Sequence, residues 1–145
     1  MIVVEKMLFL RQVPLFSSMA TSELTQVASI AREVTFHAGS RIIQEGEHGD
    51  SMFLIVDGEV SIQRGETPLK TLHARDFFGE MSIIDGEARS ASAIANKDCL
   101  LLRIDRGDFN DLLATYNSAA ISVIRALIRR LREVLPALER AQRGM

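Results

Sequence analysis

From Glu33 to Ile104 the chain is cut into short runs, alternating or wholly apolar, and most are closed by a turn built on glycine. Residues 34–36, 41–43, 52–56, 60–62 and 69–72 carry the apolar and β-branched side chains that suit a pleated, half-buried surface. Ala38-Gly39, Glu45-Gly46, Gly49-Asp50, Asp57-Gly58 and Gly65-Glu66 separate them, and pairs of that composition favour turns. Residues 89–94 and 100–104 supply two further strands. Short strands at this spacing predict a closed β-roll or jelly roll. The glycines are read as corner residues that permit positive φ.

Helical periodicity brackets this β region. Val3, Val4, Met7, Leu8 and residues 11–13 predict a short amphipathic helix ended by Pro14. A second helix is expected from Thr21, read as its cap, with Glu23 in the first turn and Leu24, Val27, Ala28, Ile30 and Ala31 on its buried side. After Ile104, Asp105 is read as the cap of a helix with Phe109, Leu112 and Leu113 inward. A break near Asn117 precedes a longer helix from about Ser118 toward Arg140. The fold class is therefore mainly β with flanking helices.

The chain of 145 residues suits one domain with a real core. A net charge of −2 gives no bulk attraction to nucleic acid or an anionic membrane. The single cysteine, Cys99, opens the apolar run Cys99-Leu100-Leu101-Leu102, so it is expected buried and no disulfide framework exists. A reducing, cytoplasmic setting and no membrane segment are expected. His37, His48 and His73 are isolated and lack metal-ligand spacing, so surface or loop positions are expected. No Gly-x-Ser-x-Gly elbow, P-loop or catalytic carboxylate pair is present, and no enzyme or cofactor is expected.

The densest chemistry lies in Phe77-Phe78-Gly79-Glu80-Met81-Ser82-Ile83-Ile84-Asp85-Gly86-Glu87-Ala88-Arg89-Ser90-Ala91. Gly79 admits a ligand close to the backbone. Residues 80–83 can form a helical turn whose free amides attract an anionic oxygen. Arg89 brings a planar, permanently charged fork suited to phosphate. Glu80 would repel phosphate but accept hydrogen bonds from sugar hydroxyls. The alternative is an ordinary Glu80–Arg89 ion pair across a loop, a contact of small energetic weight.

This stretch resembles the phosphate-binding cassette of the cyclic nucleotide-binding domain family through Phe78, Gly79, Glu80, Ser82, Arg89, Ser90 and Ala91. Gly46, Gly49, Asp50, Phe53, Gly58 and Val60 match a second feature of that family. The resemblance implies an eight-stranded roll with N-terminal helices and a C-terminal lid helix. It implies that Glu80 holds the ribose 2′-hydroxyl and Arg89 the exocyclic phosphate oxygens. Amides near Met81 and Ser82 and the Ser90 hydroxyl would complete the shell. The ligand implied is a cyclic purine nucleotide, cyclic AMP ahead of cyclic GMP.

One domain over residues 1–145 is expected: helices at 1–32, the roll at 33–105 with its cassette at 78–91, and hinge and lid helices at 106–145. A hinge after Phe109 would let the last helix close, with Leu127, Ile128, Leu131, Val134 and Leu135 as the candidates over the base. There the chain departs from the catabolite-activator type, which presents hydroxyls at the positions of Val134 and Leu135. Ile121, Ile124, Ile128, Leu131, Leu135 and Leu138 form a heptad seam, widened by Leu127, Val134 and Ala141. The helix would face a partner helix through the seam, giving a homodimer, and its own roll through the flank; ordinary packing of the helix against the domain is the alternative. Pro136 is expected to kink or fray the helix. Arg125, Arg129, Arg130, Arg132, Arg140 and Arg143 are read as a solvated face; direct nucleic-acid binding is not expected. With no helix-turn-helix, the chain is expected to be a regulatory module of a longer protein or a stand-alone sensor, answering to an unknown effector. The rival is a structural or dimerisation module on the same fold that binds nothing.

Overall fold

The computed structural model describes residues 1–144. Eight strands form two four-stranded antiparallel sheets, as the roll requires. One sheet has the order β1 (Arg32–Phe36), β8 (Cys99–Asp105), β3 (Ser51–Asp57) and β6 (Phe77–Phe78). The other runs β2 (Arg41–Ile43), β7 (Ser92–Ala95), β4 (Val60–Arg64) and β5 (Thr67–Leu72). Helices α1 (Val3–Leu10) and α2 (Thr21–Ile30) precede the roll, α3 (Glu80–Asp85) interrupts it, and α4 (Arg106–Thr115) and α5 (Asn117–Arg143) follow.

The period of two along a strand sorts the core into two clusters. On β3, Met52 and Leu54 face the helices while Phe53 and Ile55 face the inside of the roll. On β8, Leu102 and Ile104 take the first side and Leu101 the second. A strand buried on both faces must be apolar throughout, which is why residues 52–56 carry no alternation. Cys99 is buried in the roll cluster. Among the described residues, no helix is long and apolar enough to cross a membrane.

The structure corrects several expectations. The strand left unread was β6, two residues whose side chains divide between the clusters, Phe77 to the helices and Phe78 to the roll. The strand expected from Arg89 begins at Ser92, because Arg89 pairs its backbone with the turn before β3: its amide donates to the Glu47 carbonyl at 2.8 Å and its carbonyl accepts from Gly46 at 2.9 Å. Ala20, not Thr21, is the N-cap of α2, and the Glu23 carboxylate closes it by accepting the Ala20 amide at 2.9 Å. Asp105 occupies the cap position of α4 but makes no side-chain cap, since its carboxylate is held by Arg103 and Arg32.

The chain stays helical past Phe109. That ring is fully buried edge-on to Phe16, α4 continues to Thr115, and the break between α4 and α5 falls at Tyr116. Beside the break, the buried Glu23 accepts the Ser118 hydroxyl at 2.7 Å, tying the start of α5 to α2. Helix α5 runs through Pro136 to Arg143. Every residue from 131 to 144 is exposed, so water can take up the carbonyl that Pro136 leaves without a donor.

The seam of α5 does not pack on its own roll. Ile121, Ile124, Ile128, Leu131, Leu135 and Leu138 are all exposed. The contact with the domain is made by Ala119, Ser122, Val123 and Ala126, with Leu127 half-buried beside them. Small side chains let the helix approach α4 closely. That apolar contact stops about three turns before the heptad pattern does.

Candidate functional site

Arg89 is built into a corner of the roll. Only 6% of it is exposed, yet its guanidinium meets backbone carbonyls alone: Nη1 donates to Gly79 at 3.0 Å and Nη2 to Ser51 at 2.6 Å. A guanidinium carries five N–H groups, so donors remain for an anionic oxygen. Two glycines make room for it. A Cβ on Gly79 would stand 2.8 Å from Nη1, and one on Gly49 would stand 2.7 Å from Nε and 2.5 Å from the Ser82 Cβ. Gly49 is therefore not the positive-φ corner expected of it; it is a close approach. Gly46 and Gly58 do have positive φ, at 85° and 121°.

Burial lowers the pKa of Arg89 below its usual value, while the nearby carboxylates of Asp50 and Glu80 raise it and Arg103 lowers it further. A guanidinium so placed stays charged at neutral pH. Desolvated and without a carboxylate in direct contact, it is a cation in want of an anion.

Glu80 opens α3 behind Gly79, whose φ of 85° turns the chain from β6 into the helix. It is 7% exposed. Its partner is not Arg89. Oε1 accepts Nη1 of Arg130 from α5 at 2.8 Å, and the Arg130 guanidinium lies 4.4 Å from the centre of the Phe77 ring. One arginine thus bridges the cassette and the C-terminal helix by an ion pair and a cation–π contact.

These groups line a cleft of about 200 Å³. The structure brings Phe78, Gly79, Glu80, Met81, Ser82, Arg89, Ser90 and Ala91 together along its wall. Phe78 is buried and stacked on Phe53, with ring centres 5.4 Å apart, so it braces the wall from behind. Leu131, Val134 and Leu135 are not part of the cleft; they stand 57%, 46% and 42% exposed on α5. Sequence reasoning missed the opposite wall, where Ile62, Arg64, Leu69, Lys70 and Leu72 come from β4 and β5. Arg64 also donates from Nε to the Ser90 carbonyl at 3.2 Å. An outward-facing charge on an edge hairpin looks like surface in a sequence, and nothing local marks it as wall. Arg130 was equally hidden, one of several arginines on a basic helix.

The three histidines are on the surface. His37 lies 98% exposed by its side chain and His73 64%, near Asp98 and Glu59 respectively, and His48 is exposed. Among the described residues no cluster of His, Cys, Asp and Glu is arranged to hold a metal ion.

The sequence profile of the cyclic nucleotide-binding domain matches residues 33–116. A cAMP-dependent protein kinase regulatory subunit from Aspergillus fumigatus is 37% identical over 107 residues, 72% of this chain and 26% of that protein. The chain thus spans about a quarter of that relative's length. Among solved structures, the regulatory domain of Toxoplasma gondii PKA with cAMP superposes with a TM-score of 0.78 at 26% identity, covering 90% of this chain and 50% of the other. The Thermus thermophilus catabolite activator protein gives a TM-score of 0.78 at 30% identity, covering 89% and 63%. With a matching profile over the whole roll, a shared fold and a cassette assembled around a buried arginine, this chain belongs to the cyclic nucleotide-binding domain family.

Proposed function

We propose that residues 1–145 form a single sensor domain that reversibly binds a cyclic purine nucleotide, cyclic AMP ahead of cyclic GMP, and signals through movement of α5. The observation that carries this is Arg89: a buried guanidinium held by two carbonyls, with no ion-pair partner among the described residues and free donors beside a cleft. A cyclic phosphodiester supplies the one negative charge such a group lacks. Glu80 would accept the ribose 2′-hydroxyl. Amides of α3 near Met81 and Ser82, and the Ser90 hydroxyl, would meet the remaining phosphate oxygens. A ligand can shift α5 only by binding one arrangement of the helix better than another. We place Leu131, Val134 and Leu135 over the base in the closed arrangement.

The relatives named above support cyclic AMP. Cyclic GMP remains the second reading because Lys70 and Arg64 line the cleft, and guanine offers N7 and O6 acceptors that suit such cations. We further propose a second copy of this chain as partner through the exposed seam. In a parallel pair Arg125 and Arg132 would face Ala120 and Leu127 of the partner helix rather than each other. The effector that senses α5 lies in a cytoplasmic protein or domain beyond this module.

Thermal unfolding with cyclic AMP or cyclic GMP tests the assignment. A ligand at about a hundred times its dissociation constant stabilises by about 2.7 kcal/mol, which for a domain of this size is a shift of roughly several degrees. The nucleotide giving the larger shift at equal concentration settles the base. No shift with either, in protein stripped of bound nucleotide, favours the ligand-free structural module.

A further inference from the structure

The cleft carries more positive charge than a cyclic phosphodiester can neutralise. Arg64, Lys70, Arg89 and Arg130 line it, against the single carboxylate of Glu80. Glu80 is paired with Arg130, and the phosphodiester brings one negative charge for the other three cations. Arg89 has first claim on it, being buried and fixed by two carbonyls. Arg64 and Lys70 are left over. Both are exposed, and among the described residues neither pairs with a carboxylate. Glu45, held against the hairpin turn, accepts the Gly65 amide at 2.8 Å rather than either cation. Lys70 stands opposite Ile62 across the β4–β5 hairpin and Arg64 lies two residues along β4, so both share the face that lines the cleft. Arg64 is also pinned through Nε to the Ser90 carbonyl at 3.2 Å, and among the described residues its terminal nitrogens bond to nothing. A chain of net charge −2 offers a small anion no general attraction, yet these cations are gathered at one opening.

We propose that Arg64 and Lys70 are a capture pair: they draw the nucleotide anion to the mouth of the cleft and pass it to Arg89, speeding association without holding the bound ligand. The inference rests on the nucleotide assignment above and adds how the site fills. Exposed charges contribute little to a bound contact, because water and salt screen them. Their field still reaches about a Debye length, roughly 10 Å at 0.1 M salt, and acts there on the rate of encounter. Arg89 is desolvated and fixed, so it sets how long the nucleotide stays.

The test is stopped-flow mixing with cyclic AMP carrying a fluorophore on its base, at low and at high salt. The chains compared are the unmodified one, Lys70→Gln, Lys70→Glu, Arg64→Gln combined with Lys70→Gln, Lys97→Gln and Arg89→Ala. Lys97 is exposed outside the cleft and controls for loss of one positive charge. At low salt the double variant is expected to associate about tenfold more slowly, with dissociation changed by less than about twofold. Lys70→Glu should be slower than Lys70→Gln, and Lys97→Gln should match the unmodified chain. High salt should bring these association rates together. Faster dissociation with unchanged association would make the pair contacts of the bound nucleotide and overturn the proposal. Association slowed equally at both salt concentrations would overturn it too. No binding by the unmodified chain would reject the nucleotide assignment and the proposal with it. Binding abolished by Arg89→Ala, with association unchanged in every other variant, would reject the proposal alone.

Discussion

The cassette corner and the far half of α5 invert each other. At the corner a guanidinium and a carboxylate are withdrawn from water, braced by stacked phenylalanines and by glycines too tight for a methyl group. Along α5 beyond Arg130, leucines and a valine stand exposed to water. Burying charge costs free energy unless a partner is supplied, and exposing a continuous apolar stripe forgoes the gain of covering it. Each region is incomplete in the direction opposite to ordinary folding. The corner asks for an anion and the helix for an apolar face, and Arg130 stands at the point where the two meet.

Variants that damage one side and spare the other would break this comparison. The largest effect is expected from Arg89→Ala, which removes the cation and leaves the Gly79 and Ser51 carbonyls unpaired. Affinity for cyclic nucleotide should fall by about a hundredfold or more, from charged hydrogen bonds contributing about 1.5–3 kcal/mol each. Calorimetry reads this, while binding retained within a few-fold would refute the corner as the site.

Next comes Gly49→Ala, whose methyl must displace Ser82 or Arg89. Overpacking of this kind costs about 1–3 kcal/mol and should lower the urea midpoint and ligand affinity together. A normal midpoint with normal affinity would show that the corner yields without cost.

Ser118→Ala tests the joint between the two regions. Loss of its hydrogen bond to the buried Glu23 carboxylate should cost about 1 kcal/mol and speed amide exchange in the first turns of α5. Exchange unchanged there would mean that Ala119, Val123 and Ala126 hold the helix start alone.

The smallest effect on the fold belongs to Ile128→Glu. An exposed position should change monomer stability by no more than about 0.5 kcal/mol, while sedimentation equilibrium should show any two-copy species lost. A pair that survives the charge would place the contact elsewhere than on the seam.

Much of the corner was legible because its constraints are local. Gly79, Glu80, Arg89, Ser90 and Ala91 stand close in the chain, and the turn of α3 between them is short. The roll was legible for the same kind of reason, since alternation and glycine breaks report strands residue by residue. What escaped was long-range. Gly49 reads as one more turn glycine until Arg89 is folded onto it. Lys70 and Arg64 read as the solvent side of a hairpin until the cassette closes the cleft against them. Phe77 and Phe78 read as a ligand motif, and they are also a strand, because two residues carry too little periodicity to announce one.

The sequence by itself determined the β-roll, the order of the cassette and the apolar stripe of the last helix, because period and spacing are properties of neighbouring residues. Only the tertiary structure decided that Glu80 meets Arg130 rather than Arg89, fifty residues away in the chain. It alone decided that α5 docks through Ala119, Ser122, Val123 and Ala126 and leaves its heptad seam bare. Many arginines and two apolar faces on one helix satisfy the same local rules. The choice among them is made by which face the packed core accepts and which cation lies within reach of a buried carboxylate.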